Sequence, residues 1–200
     1  MLQVYGTFTS PYVRRVRIVA HELGLTCDLV DTAGDAGQAA LRERSPIWKV
    51  PAAELDGALV FDSHVIGELL LQRHGPGPLR PLAVDDIEGR NAISVIDGAL
   101  DSLINCFYLE REGHGSEVPY LHKQRQRATS ALAWIEQRLG EDGSLGGGGF
   151  GLPEIGLGTA LAWMHFRRTF PVAEHPRLLA ALEIYEKRPS FAATREFTNF

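Results

Sequence analysis

Apolar positions near the N-terminus follow first a strand period and then a helical one. Leu2 to Tyr5 reads as a short apolar strand, after which Val13, Val16, Ala20 and Leu23 form a stripe at helical spacing, ended by Gly24. Cys27 to Val30 predicts a second strand. Asp35 to Arg44 is polar and Ala-rich and predicts a short or loose helix. Pro51 to Leu55 and Ala58 to Phe61 flank Asp56-Gly57, a dipeptide that favours a tight hairpin. Ser63 then stands where it can cap a helix through Ile66, Leu69 and Leu70 towards Gly75. The order β-α-β-α-β-β-α predicts an α/β layer on a small mixed sheet over residues 1–75.

From His74 to Leu82 two glycines and three prolines interrupt any helix, so this stretch predicts a linker or crossover. Beyond it the period is helical throughout. Asp85 and Glu88 make a capping-box pattern ahead of Ile93, Ile96, Leu100, Leu103 and Phe107, and Leu121, Ala128, Leu132, Ile135 and Leu139 repeat the spacing. Further helices are predicted from Pro153 to Arg168, from His175 to Lys187, and from Pro189 towards the C-terminus. No strand pattern follows Phe61, so residues 85–200 predict an all-α domain packed as a bundle. The run Gly146-Gly147-Gly148-Gly149-Phe150-Gly151 lacks the Lys-Ser/Thr ending of a phosphate-binding loop and follows no strand. It reads as a flexible loop ahead of a helix.

Composition narrows the function classes. The 200 residues are 44% hydrophobic and 22% charged, the balance of an ordinary globular protein. A net charge of −5 argues against generic binding to nucleic acid or anionic membranes, which positive surface drives. Arg14, Arg15 and Arg17 form the densest basic cluster, on one helix and too small to alter that conclusion. No apolar run reads as spanning and the chain opens directly on a strand pattern, so a cytoplasmic location is expected. Cys27 and Cys106 have unrelated spacing, and the seven histidines show no paired spacing for a metal; no metal site is expected, and both cysteines read as buried and structural.

Candidate chemistry concentrates in three short motifs. In Thr9-Ser10-Pro11-Tyr12-Val13-Arg14-Arg15-Val16 a hydroxyl sits where a helix begins, with proline in the first turn. Unpaired N–H groups and the positive end of the helix dipole gather there, which suits a thiolate. Ordinary helix capping accounts for the same residues. Lys49-Val50-Pro51 and Asp62-Ser63 are the other two motifs.

Together with Ser45-Pro46-Ile47-Trp48 and Phe61, these segments resemble the glutathione-site motifs of the glutathione S-transferase family, in its small bacterial, serine-containing form. The resemblance covers essentially the whole chain. It implies a thioredoxin-like α/β N-terminal domain followed by an all-α helical bundle. It also implies glutathione as co-substrate with no further cofactor, a small hydrophobic electrophile, and a homodimer. Ser10 would donate a hydrogen bond to the glutathione sulfur, with Thr9 as the alternative hydroxyl. Val50 would pair its backbone with the ligand ahead of a cis Pro51, where a trans proline opening a strand is the alternative. Lys49 would meet the glycyl carboxylate, with a solvated surface lysine as the alternative, Asp62 the γ-glutamyl ammonium and Ser63 the γ-glutamyl carboxylate. Thr9, Tyr12, Asn105, Tyr108 and Phe166 are candidates for the electrophile pocket.

Three positions depart from the family's pattern. Trp48 stands where glycine is common, Ser45 where asparagine is common, and Gly151-Leu152-Pro153-Glu154 where Ser/Thr-x-x-Asp is common. The last predicts a looser helix start, because glycine caps less well. Rival readings are a scaffold or interaction protein with little catalysis, and a glutathione-dependent isomerase or dehalogenase. Serine rather than cysteine at position 10 argues against glutaredoxin-like exchange, since no sulfur is there to form the mixed disulfide.

Overall fold

The computed structural model describes residues 1–115 and 117–195, which divide into two compact units. The first comprises Met1–Pro81 with the segment beginning at Lys187, the second Leu82–Glu186.

The first unit is built on a four-stranded mixed sheet in the order β2-β1-β3-β4. Strand β1 (Leu2–Gly6) runs parallel to β2 (Cys27–Asp31) and antiparallel to β3 (Ala52–Leu55), which pairs antiparallel with β4 (Ala58–Phe61). Asp56 and Gly57 close the β3–β4 hairpin with φ of 53° and 84°, the double left-handed turn that this dipeptide favours. Along β1, Leu2, Val4 and Gly6 face one side and Tyr5 the other. Helix α1 (Pro11–Glu22) covers the first side, burying Val13, Val16, Val19 and Ala20. A Cβ on Gly6 would come within 2.2 Å of Val13 Cγ2, so glycine is what lets the helix approach the strand end. Helix α2 (Gly34–Arg44) buries only Leu41, which packs with Tyr5 and Ala52 on the opposite side. Helix α3 (Ser63–His74) packs beside α1.

The second unit is helical, with α4 (Ile87–Arg111), α5 (Pro119–Glu136), α6 (Leu152–Arg167) and α7 (Pro176–Glu186). Helix α6 is its centre, buried from Leu152 through Met164, with α4 and α7 packed on it and α5 on α4. By length and composition α4 could cross a bilayer, contrary to the expectation that no run reaches that length. It buries Ala92, Ile96, Ala99, Leu100 and Leu103 within the unit.

Several local expectations are corrected. Helix α4 is capped by Asp86, whose Oδ1 accepts from Gly89 N at 2.8 Å, and not by Asp85. Helix α3 is capped by Asp62, with Ser63 already inside the first turn. The start of α6 is not loose. Glu154 is 1% exposed, and its two carboxylate oxygens accept from Gly151 N at 2.8 Å and Leu145 N at 2.7 Å. Tightness that a capping hydroxyl would supply comes instead from a carboxylate one turn in.

The last helix, α8 (Pro189–Ala193), packs on α1 in the first unit, whereas the sequence pattern assigned it to the helical half. Arg14, 2% exposed, donates from Nη2 to Phe191 O at 3.2 Å and from Nε to Thr194 Oγ1 at 3.3 Å. Arg188 grips Glu22 through two 2.9 Å hydrogen bonds, and Ser190 Oγ donates to the same carboxylate at 2.6 Å. Any continuation of this helix over 196–200 lies outside the described residues.

Candidate functional site

Strand register brings the three sequence motifs to one end of the sheet. Tyr5 pairs with Ala52, and Ala52 pairs with Phe61. The C-terminal end of β1, the N-terminal end of β3 and the C-terminal end of β4 are therefore side by side. Ser10 follows the first, Val50-Pro51 precedes the second, and Asp62-Ser63 follows the third. Residues separated by some fifty positions in sequence meet because the hairpin folds β4 back along β3.

Ser10 is the N-cap of α1, with extended backbone and Pro11 in the first turn. Its Oγ accepts from Val13 N at 3.3 Å. That bond uses a lone pair, so the O–H remains a donor. Ser10 and Thr9 are both half-buried, Ser10 N donating to Thr7 O at 3.2 Å in the connecting turn. Tyr12 is half-buried with the Arg15 guanidinium 5.0 Å from its ring centroid.

The Val50–Pro51 peptide bond is cis. Pro51 is buried, and Val50 packs against the Tyr5–Leu41–Ala52 cluster just ahead of the first paired residue of β3. Lys49 is exposed. Trp48 is 62% exposed with φ of 53°, and Arg42 lies over its indole at 5.2 Å. Glycine suits this position because the backbone is left-handed there. Trp48 does not fill the core.

Asp62 is exposed, at φ of 73°, and its Oδ1 accepts from His64 N at 2.8 Å. Left-handed backbone at a non-glycine residue is sparsely populated and concentrates at binding sites. Ser63 is 5% exposed at the N-terminal turn of α3, where helix N–H groups point outward. The helix ends of α1 and α3 therefore present two anion-favouring termini next to one sheet edge.

Sequence reasoning overlooked the link between those termini. Arg15 Nη1 and His64 Nε2 are 3.0 Å apart, joining α1 to α3. Arg14 and Arg15 are 2% and 3% exposed, so the basic run is not a surface patch. His64 is half-buried. Only helical phase, which places 15 on the buried side of α1, could have signalled this.

The electrophile-pocket candidates divide between the units. Thr9 and Tyr12 belong to the first, and Asn105, Tyr108 and Phe166 to the second. Asn105 is exposed and donates to Asp101 O in its own helix at 3.0 Å. Tyr108 stands edge-on to Phe107 with centroids 5.4 Å apart, and Phe166 lies under the Arg167 guanidinium at 4.5 Å. Cys106 is buried, but Cys27 is only half-buried, a partial correction. Burial pushes the Cys27 thiol up to about 11 and also raises that of Cys106, so neither is a thiolate near neutral pH. Among the described residues no group of three or more His, Cys, Asp or Glu could hold a metal ion.

Comparison with known proteins agrees with this architecture. Residues 4–78 match the family model described as glutathione S-transferase, N-terminal domain, and residues 88–183 match glutathione S-transferase, C-terminal domain. The chain is 27% identical to the uncharacterized GST-like protein YibF of Escherichia coli, over 96% of this chain and 98% of that one. It is similar in structure to a glutathione S-transferase from Methylobacterium radiotolerans in complex with glutathione sulfonate. That pair has a TM-score of 0.85 at 29% identity, covering 100% of this chain and 96% of the other. A glutathione transferase family member from Pseudomonas fluorescens with bound glutathione gives 0.82 at 29% identity, covering 98% of each. In sequence, sheet topology and helical half alike, the chain belongs to the glutathione S-transferase family.

Proposed function

We propose that this protein is a glutathione transferase, a cytoplasmic homodimer that activates the glutathione thiolate for attack on a small electrophile. The observation that carries the reading is the convergence of Ser10, Val50-Pro51 and Asp62-Ser63 on one end of the sheet. In this reading Val50 pairs its backbone with the cysteinyl part of the tripeptide as an added strand. The N-terminus of α3, with the Ser63 hydroxyl, receives the γ-glutamyl carboxylate, and Asp62 its ammonium group. Lys49 pairs with the glycyl carboxylate. The Ser10 O–H donates to the sulfur and favours the thiolate, which is the nucleophile. The electrophile is held by the helical unit, so that catalysis rests on thiol activation and on proximity of two bound reactants.

Calorimetry with millimolar glutathione tests the reading. One molecule should bind per chain, and Ser63→Ala should weaken binding by about 1 kcal/mol or more, the loss of one hydrogen bond to a charged group. Absence of both heat and thermal shift would favour the scaffold alternative.

A further inference from the structure

At their C-terminal ends α4 and α6 build a cluster apart from the residues assigned to glutathione itself. Phe107 stands edge-on to the buried Trp163, centroids 5.6 Å apart, and to Tyr108. The Arg167 guanidinium lies 5.1 Å from the Phe107 centroid and 4.5 Å from that of Phe166. Arg111 lies 5.5 Å from the same Phe107 ring. Two positive charges therefore share one aromatic ring, which attracts a cation but cannot neutralise it. Among the described residues neither guanidinium has a carboxylate partner. Glu110, beside Arg111 in sequence, is paired with Arg125.

Arg167 Nε is buried without a hydrogen-bond partner. Burial lowers the Arg167 pKa, Tyr108 offsets this in part, and the charge of Arg111 lowers it further. A guanidinium so placed is short of an anion, and its planar fork matches a carboxylate. Arg111 and Tyr108 are exposed, so the cluster opens to solvent on that side.

We propose that the electrophile carries a carboxylate on a planar aromatic body. Arg167 and Arg111 receive the carboxylate, and Phe107, Phe166 and Tyr108 hold the ring. The inference rests on the conjugation reading above but is tested apart from it.

The matched probes are 4-chloro-3-nitrobenzoate and its methyl ester, equal in body and different in charge. With glutathione, the thiol proton passes to solvent and sulfur bonds to the ring carbon that bears chlorine. The C–Cl bond then breaks, and chloride leaves with its electron pair. Binding is read first, by calorimetry in excess S-methylglutathione, which has no thiol and so permits no reaction. The acid should bind about tenfold more tightly than the ester, a charge-assisted contact being the difference. Arg167→Gln should bring that ratio towards one, as should Arg111→Gln, an exposed position that guards against misfolding of the first variant. With turnover, KM for the acid should rise more than kcat falls. Equal affinity for acid and ester in the unaltered protein overturns the inference, as does an unchanged ratio in both folded variants, whether or not conjugation occurs. Preference for the acid without any conjugate, abolished in both variants, supports the carboxylate site at Arg167 and Arg111 and counts against the transferase reading instead.

Discussion

At the residue scale the proposed chemistry rests on hydroxyls and helix ends rather than on a sulfur nucleophile of the chain. Cys27 and Cys106 are held protonated by burial, so the only thiolate expected near neutral pH belongs to the ligand. Ser10 caps α1 through a lone pair, which leaves its O–H as a donor, and in the proposed reading that donor meets the ligand sulfur. Loss of one charge-assisted hydrogen bond, about 1.5–3 kcal/mol, corresponds to about one to two pKa units. Ser10→Ala should accordingly raise the thiol pKa of bound glutathione by that amount, seen as a shift in thiolate absorbance with pH. Its rate deficit should be largest near neutral pH and shrink as the thiol ionises unaided. Thr9→Ala is the control. A silent Ser10→Ala with an inactive Thr9→Ala would transfer the role to the neighbouring hydroxyl.

At the element scale, the starts of α3, α4 and α6 are secured by acids that reach across turns. Glu154 ties Gly151 N to Leu145 N and so joins the start of α6 to the loop before it. Because α6 is buried from Leu152 onward, its first turn depends on protein partners for these groups. Glu154→Ala leaves two buried N–H groups without partners and should cost about 2–5 kcal/mol, read as a lower urea midpoint with an unchanged slope. Glu154→Gln keeps one acceptor oxygen and should cost less. An equal loss in both variants would mean that packing, not hydrogen bonding, holds the turn.

At the scale of the whole molecule, the chain's last described helix returns to its first. Burial alone would raise the Glu22 carboxyl, yet hydrogen bonds from Arg188 and Ser190 and the charge of Arg188 outweigh it and hold the pKa below the ordinary carboxylate value. A carboxyl lowered on folding stabilises the fold fully above its ordinary value, and the contribution disappears as pH falls through the folded value. Glu22→Gln should therefore destabilise by about 1–3 kcal/mol at pH 7. The difference from the parent should close as the pH is taken below about 4, in the usual carboxylate range. Denaturant melts at several pH values check this, and a gap that persists in acid would assign the effect to shape instead of charge.

Much of this architecture is legible from local chemistry. Proline in the first turn of α1, Asp56-Gly57 between two apolar runs, and helical spacing after Leu82 each act within a few residues, where backbone sterics and side-chain period decide the outcome. The three motif segments are likewise visible as residue types. What the linear chain leaves open is every feature set by a partner distant in sequence. Only the pairing of β3 with both β1 and β4 brings Ser10, Val50 and Asp62 to one end of the sheet. Only tertiary packing buries Arg14 and Arg15 and gives Glu154 its second N–H. It also brings Arg111 and Arg167, from two helices, onto one phenylalanine ring. Charge and hydroxyl chemistry are properties of residues, but desolvation and the choice of hydrogen-bond partner depend on which surfaces meet, and those emerge only when the chain is folded.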